Sequence, residues 1–239
     1  MTTPLHHNII TQLQYLRSSK RDQTFLDSFW RTGVWQYAHW DIIRWVPVPV
    51  IRSLSKSYLT LLKSEDIISL LYDQVHEVRL FALISLVYLY KFKKYWRDQT
   101  LIYQLYMDHI DQVNHRDLVD TSCRDIVWWY LLDHDRDVLY KLAGSNMLRR
   151  QRIAIVSTWM FLKHGQVDDT IRLSEILLNH PHDLIHKAVW RMLREMGKHI
   201  DQKVLIHFLN QHSHQMPRTM LRYAIEHLDP DQRAYYRNQ

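Results

Sequence analysis

Residues that break helices or cross-link the chain are scarce in this sequence. The 239 residues include one cysteine, four glycines and six prolines. Because strands need many turn residues between them, this scarcity argues against a β-rich fold. The single cysteine, Cys123, excludes an intramolecular disulfide and fits a reducing, cytoplasmic location. We expect Cys123 to be a buried small residue, as free cysteines usually are.

Signals of membrane insertion, secretion and common chemistry are also missing. No stretch reaches about 18 apolar residues, which predicts no membrane span. The first residues, MTTPLHHNII, do not have the pattern of a signal peptide. The chain contains no CxxC pair, no glycine-rich phosphate loop and no GxSxG motif. Its sixteen histidines do not occur at the spacings of a zinc site, so we predict neither a metal site nor a cofactor.

The sequence does contain a long succession of short apolar segments with helical periodicity. The chain is 46% hydrophobic and 23% charged, which is enough to bury a core. Helix pairs recur at roughly 30 to 45 residues, the spacing of HEAT-like units. We therefore predict an all-α fold, an α-solenoid of HEAT-like antiparallel helix pairs with a concave face. A compact helical bundle is the alternative. No linker is evident, so we predict a single domain over residues 1–239.

Individual segments support this prediction. Residues 6–18 and 22–31 have helical spacing, and residues 32–49, with three tryptophans and two prolines, read as an irregular connector. Helices resume at Val50. The segment HEVRLFALISLVYLYKF is apolar on more than one face and should be central. Residues 149–165 predict one long helix that stops at Gly165.

Basic residues recur on the predicted helices. Lysine and arginine number 31 against 25 acidic residues, for a net charge of +6. Arg149, Arg150 and Arg152 open a predicted helix, and three further sets have helical spacing: Lys187, Arg191 and Arg194; Arg218 and Arg222; Arg52 and Lys56. They could be solvated faces paired with acidic neighbours, or they could bind a polyanion. A solenoid that aligned them on its concave side would form a groove for a nucleic-acid backbone.

The strongest candidate for a functional site is the stretch QVNHRDLVDTSC, residues 112–123. Asp117 and Asp120 are three residues apart and should share one helix face, with Arg116 beside them. Asn114 can cap that helix by accepting a hydrogen bond from a backbone N–H.

At these segments the chain resembles the AlkD family of alkylpurine DNA glycosylases, which are HEAT-like repeat proteins. The resemblance covers nearly the whole chain. Its most specific parts are QVNHRDLVD (family pattern close to NNWDLVD), QRIAIVSTWMFLKHGQVDDT, LLNHPHDLIHKAVWRMLREMGK and MPRTMLRYAIEHL. The resemblance implies a basic concave groove that holds duplex DNA, and cleavage of N3- or N7-alkylated purines from the sugar. It also implies that an aspartate assists the reaction and that tryptophans pack against the deoxyribose. Asp120 matches that aspartate, and Asp117 matches the other acid of the motif.

The chain departs from the family pattern at its aromatic positions. Arg116, Arg149 and Arg191 stand where the pattern has tryptophans. The first of two paired arginines is Gln151, which leaves Arg152, and Trp190 stands in place of a glycine. Upstream, where relatives read roughly GEYGEGDKFLGVRVP, four glycines are replaced by Trp35, Ala38, Trp40 and Trp45.

The loss of three aromatic side chains indicates that base excision is lost or altered. An indole can stack on a sugar, whereas an arginine binds phosphate. Our leading hypothesis is a DNA-binding relative without base-excision activity that binds the phosphate backbone. Because a curved basic groove recognises DNA shape, distorted or branched DNA would suit it. The residues expected to contact DNA are Arg116, Asp117, Arg149, Arg150, Arg152, Lys187, Arg191, Arg194 and Arg218. The alternatives are an active glycosylase with Asp120 as its catalytic carboxylate, and a protein-interaction scaffold.

Overall fold

The computed structural model describes residues 4–16, 41–92 and 98–238. By its internal contacts the chain divides into two compact units, Met1–Ser122 and Cys123–Gln239. The described residues are helical apart from their connections and one isolated parallel bridge between Ile42 and Val75. The predicted all-α class is thus confirmed, and the succession of helices is consistent with a HEAT-like fold. Within the described ranges, no helix combines the length and apolarity needed to cross a bilayer.

The first unit is built around one buried helix. Its helices are α1 (Pro4–Tyr15), α2 (Val48–Tyr58), α3 (Ser64–Leu71), α4 (His76–Lys91) and α5 (Gln99–Asp108), followed by a 3-10 turn, Ile110–Gln112. Helix α4 is buried on nearly all sides and packs against α1, α2, α3 and α5. This position confirms that the HEVRLFALISLVYLYKF segment is central. The last helix, α6 (Arg116–Leu131), begins in the first unit and continues into the second.

The second unit surrounds a long amphipathic helix. Its elements are α7 (Asp137–Ala143), α8 (Leu148–Ser157), α9 (Trp159–Lys163), α10 (Asp168–Leu177), α11 (Asp183–His199), α12 (Gln202–His212), a 3-10 turn (Ser213–Gln215), α13 (Arg218–Ala224) and α14 (Pro230–Arg237). Helix α11 packs against α8, α9, α10, α12 and α13. Its buried face consists of apolar residues such as Leu184, Ile185, Val189 and Met192.

Helix ends follow local sequence signals. The side chain of Asp98 accepts hydrogen bonds from the backbone N–H groups of Thr100 and Leu101 at the start of α5. The side chains of Asp201 and Asp229 cap α12 and α14 in the same way. Pro49 lies in the first turn of α2, where a missing N–H costs nothing.

The structure differs from the predicted helices at Thr158. The single helix predicted for residues 149–165 is divided at Thr158 into α8 and α9. The side-chain hydroxyl of Thr158 donates to the carbonyl of Ile155, a local bond that competes with the helical pattern. The predicted helix at 22–31 lies outside the described residues. Cys123 is buried, as predicted.

Candidate nucleic-acid interface

The start of α6 is held by a buried histidine from the start of α4. Nε2 of His76 lies 2.9 Å from Oδ2 of Asp117, and Nδ1 of His115 is hydrogen-bonded to Oδ1 of the same carboxylate. The side chains of both histidines are fully buried, whereas that of Asp117 is 23% exposed. Asp117 therefore turns inward, towards His76, in the first turn of the helix.

His76 joins this carboxylate to a second one. Its Nδ1 lies 3.1 Å from Oδ2 of Asp41, in the irregular segment before α2. Asp41 also forms a 2.7 Å ion pair with Nη2 of Arg79 and accepts a 2.8 Å hydrogen bond from Nδ2 of Asn114. We call His76, Asp41, Arg79, Asp117 and His115 the His76 network. It connects the segment before α2, the first turn of α4 and the first turn of α6.

The electrostatics of this network favour charged groups despite burial. Burial by itself would lower the pKa of His76, but the negative charge of Asp117 and hydrogen bonds with both carboxylates raise it to about 9. Burial would raise the pKa of Asp41, yet hydrogen bonding with His76 and the charge of Arg79 lower it to about 2. The pKa of Asp117 is held well below its usual range, because the charge of His76 and the bond from His115 outweigh burial. At neutral pH, His76 is thus an imidazolium that donates from both nitrogens.

A neighbouring carboxylate shapes the segment before α2. Glu77, which is buried, accepts hydrogen bonds from the backbone N–H groups of Arg44 (2.9 Å) and Trp45 (2.6 Å). Trp45 has a φ of 67°, in the left-handed region that favours glycine. The sequence analysis matched Trp45 to a glycine of the AlkD pattern, and glycine adopts such a φ without strain.

Three members of the His76 network could in principle hold a metal ion. His76, His115 and Asp117 each offer one ligand atom, and these atoms lie within 4.8 Å of one another. Metal binding requires neutral imidazoles, so an ion would have to displace the proton that His76 shares with Asp117. The 2.9 Å separation of Nε2 and Oδ2 is that of an N–H···O hydrogen bond. We therefore interpret the cluster as a hydrogen-bonded network.

The residues of the QVNHRDLVD motif take different roles from those their spacing predicts. Asn114 was expected to cap the helix, but its Nδ2 donates to Asp41 and its Oδ1 is buried without a hydrogen bond. Asp117 is engaged by two histidines, whereas Arg116 and Asp120 are half-buried and one helical turn apart on α6. The start of α6 thus combines an inward-facing carboxylate, Asp117, with a partly exposed cation, Arg116, and a second carboxylate, Asp120, one turn later.

Several of the predicted DNA-contacting cations, Arg152, Arg194, Arg218 and Lys187 among them, form hydrogen bonds or ion pairs within the chain. Nη1 of Arg152, which is buried, donates to the carbonyl of Leu184 at 2.8 Å. Arg194 forms ion pairs with Glu195 and Glu226 at 3.1 and 3.0 Å. Arg218 donates to the carbonyl of Arg237 at 2.9 Å. Nζ of Lys187 lies 2.8 Å from Asp183 in an exposed pair on α11.

The other predicted cations lie on partly exposed helix surfaces. Arg149 and Arg150 are half-buried in the first turn of α8. Arg191 is half-buried on α11, with its guanidinium 5.8 Å from the centre of the Trp159 ring. Whether any of these residues contacts DNA stays a prediction.

The sequence analysis missed the His76 network. His76, Arg79 and Asp41 lie between 38 and 76 residues before Asp117 in the sequence, so no local motif relates them. One signal was available, because a histidine, a glutamate and an arginine interrupt the otherwise apolar start of α4. Buried polar side chains need partners, and those partners lie on other elements.

Comparisons with known proteins agree with this architecture. The family model described as DNA alkylation repair enzyme matches residues 9–228. A solved structure described as a predicted DNA alkylation repair enzyme from Enterococcus faecalis superimposes with a TM-score of 0.68 at 15% sequence identity. The match covers 90% of this chain and 99% of that one, and at this identity it shows the fold alone. No curated protein sequence matches the chain significantly. Because the family model spans most of its residues, the chain belongs to the DNA alkylation repair enzyme family.

Proposed function

We propose that this protein binds the phosphate backbone of DNA without excising bases. The observation that carries the proposal is Arg116, which occupies the first position of α6, one turn before Asp120. The AlkD pattern has tryptophan there. Family membership makes DNA the expected partner, and the net charge of +6 fits a polyanion.

The exchange of tryptophan for arginine changes what this position can do. A flat indole packs against a deoxyribose and keeps water ordered near the anomeric carbon. A guanidinium cannot form such a dry surface, but it binds phosphate oxygens through two parallel hydrogen bonds. The same exchange occurs at Arg149 and Arg191. Phosphate binding is therefore favoured at all three positions, at the expense of lesion recognition.

The His76 network supports this role by fixing the start of α6. The buried bonds to Asp117 fix the helix turn that carries Arg116. A residue held on a fixed helix loses less conformational entropy when it binds, so its phosphate contact is stronger.

Other cations contribute according to their existing contacts. The exposed pair between Lys187 and Asp183 is weak enough to exchange for a phosphate contact. Arg152 donates to a backbone carbonyl, and Arg194 is paired with a carboxylate of the same helix. We therefore propose that these two residues stabilise the helices that form the DNA-binding surface. As part of the same proposal, the helix pairs form a single solenoid whose basic concave face holds the DNA.

A salt titration tests the backbone contact. Binding of a labelled duplex is measured by fluorescence anisotropy between low and moderate salt, for the wild type, Arg116→Ala and Lys203→Ala. Each phosphate contact adds about 0.9 to the slope of log K against log salt. We expect Arg116→Ala to weaken binding and lower the slope by about 1. The control is Lys203→Ala, which removes an exposed cation of α12. It should reduce the affinity and the salt slope by less than Arg116→Ala does. Absence of binding at low salt would refute the proposal.

A glycosylase assay separates the proposal from the active-enzyme alternative. The protein is incubated with DNA containing N7-methylguanine, and free base is measured for the wild type and Asp120→Asn. We expect no release by either protein. Release by the wild type alone would establish Asp120 as a catalytic carboxylate and replace our proposal. If instead the protein did not bind DNA but bound an acidic protein through the same arginines, the results would support the protein-interaction scaffold.

A further inference from the structure

Two stacked aromatic rings, each with a guanidinium against it, lie between α11 and α13. The rings of Trp190 and Tyr223 are stacked, with centroids 4.8 Å apart and planes inclined by 24°. The guanidinium of Arg194 lies 4.9 Å from the centre of Trp190, and that of Arg222 lies 4.9 Å from the centre of Tyr223. We call these four side chains the aromatic column.

The Trp190 end of the column is anchored from behind. Arg194 donates to Glu226 at 3.0 Å and to Glu195 at 3.1 Å. Glu195 is buried and is also paired with His199 at 3.0 Å. These bonds fix the guanidinium against the indole, which in turn supports the ring of Tyr223. The stack is therefore preorganised and need not be assembled by a ligand.

The Tyr223 end opens towards solvent. The ring of Tyr223 is 38% exposed, and Arg222, which lies against it, is itself an exposed residue. An exposed cation over an aromatic ring is held weakly, so its side chain can swing aside. Trp190 thus holds the Tyr223 ring in place, whereas the Arg222 guanidinium against that ring can be exchanged for another planar group.

We propose that an unpaired nucleobase of a DNA strand stacks on Tyr223, while Arg222 moves to the adjacent phosphate. Every base has a π-face that stacks on an aromatic side chain, and a neighbouring arginine serves the backbone of the same strand. The ligand class follows from this pairing of a planar ring with a cation. The inference rests on the proposed function and adds a preference for DNA with an unpaired base.

Trp190 makes this column a property of this chain and not of the family pattern. It stands where the AlkD pattern has glycine. A glycine would provide no ring behind Tyr223 and no surface for Arg194.

The test compares three labelled duplexes of equal length. One is fully paired, one carries a single extrahelical thymine, and one carries an abasic site in place of that thymine. Affinities are measured by anisotropy for the wild type, Tyr223→Ala, Tyr223→Phe and Trp190→Gly. Tyr235→Ala is the matched control, since Tyr235 is a 57% exposed tyrosine of the same unit.

The expected pattern is specific to the ring. The wild type should bind the thymine bulge about tenfold more tightly than either other duplex. Tyr223→Ala and Trp190→Gly should lose this preference with little change on paired DNA, whereas Tyr223→Phe and Tyr235→Ala should keep it. Unchanged binding of paired DNA by Tyr223→Ala shows that this variant is folded, and the preference kept by Tyr223→Phe assigns the effect to the ring.

Other outcomes separate this inference from the proposed function. Equal binding of all three duplexes by the wild type, or a preference that survives in Tyr223→Ala, would overturn the stacking site and leave backbone binding intact. If the wild type bound none of the duplexes, the proposed function would fall and the stacking site with it.

Discussion

His76 and Asp117 are joined by a 2.9 Å hydrogen bond between Nε2 and Oδ2, and each lies in the first turn of its helix. A helix N-terminus favours the negative charge of Asp117 and disfavours the positive charge of His76. The imidazolium is held there because Asp117 and Asp41 flank it on both sides. This bond makes the start of α6 dependent on a residue 41 positions earlier.

The His76 network predicts a pH dependence of stability. The pKa of His76 rises from 6.5 to about 9 on folding, so its contribution is fully present below 6.5 and is lost as pH rises through about 9. Since one pKa unit corresponds to about 1.4 kcal/mol, His76 contributes on the order of 3 kcal/mol near pH 6. Asp41 acts in the opposite direction, and its contribution is lost as pH falls from 3.8 through about 2.

Urea unfolding between pH 5 and pH 10 measures this dependence. The wild type should lose stability above pH 7, and His76→Gln should be less stable near pH 6 with a flatter profile. His214→Gln, at an exposed histidine of the second unit, should follow the wild type. A wild-type profile that stayed level to pH 10 would contradict an imidazolium at His76.

At position 45, the glycine variant is predicted to be more stable than the alanine variant, which reverses the usual order. Glycine normally destabilises a chain relative to alanine, because it loses more conformational entropy on folding. At a φ of 67° the Cβ of alanine is strained, whereas glycine is not. Both substitutions remove the indole, so Trp45→Gly should exceed Trp45→Ala in the free energy of unfolding by roughly 1 kcal/mol. Equal stabilities in urea would show that this backbone conformation is not required.

A side chain at position 197 is predicted to destabilise the protein. A Cβ on Gly197 would lie 2.6 Å from Cδ2 and 3.1 Å from Cβ of Leu205, a buried residue of α12. Gly197→Ala should therefore lower the free energy of unfolding by about 1–3 kcal/mol. The matched control is Gly144→Ala, whose Cβ would meet no atom nearer than 3.4 Å at a helical φ. Thermal unfolding should place the control within about 1 kcal/mol of the wild type.

Arg136 is predicted to require its planar guanidinium. Nη1 pairs with Asp169 at 2.6 Å and Nη2 donates to Gln166 at 2.6 Å. The same group lies 3.8 Å from the centre of the Phe161 ring. A lysine cannot make both bonds and stack, so Arg136→Lys should cost about 1–3 kcal/mol. Arg233→Lys on α14 keeps the charge and should change stability by less than about 0.5 kcal/mol. Comparable losses in both variants would mean that the pairing geometry contributes little.

Some parts of the architecture could be predicted because their signals are local. The apolar residues around the whole circumference of α4 require burial on all sides. The side chains of Asp98, Asp201 and Asp229 cap helices by accepting hydrogen bonds from backbone N–H groups two or three residues later. The interruption at Thr158, where the side-chain hydroxyl donates to the carbonyl of Ile155, was not predicted because the surrounding residues continue the helical pattern.

The candidate site divides in the same way. The sequence by itself determined the all-α class and placed Arg116 and Asp120 on one helix, whereas the exchange of tryptophan for arginine at three positions stays a prediction from the AlkD resemblance. Only the tertiary structure decided that Asp117 faces His76 and not solvent. It also decided that Asn114 donates a hydrogen bond to Asp41 and does not cap the helix, and that Trp190 stacks on Tyr223. Periodicity sets which side of a helix a residue lies on, but partners from distant segments set what that side meets.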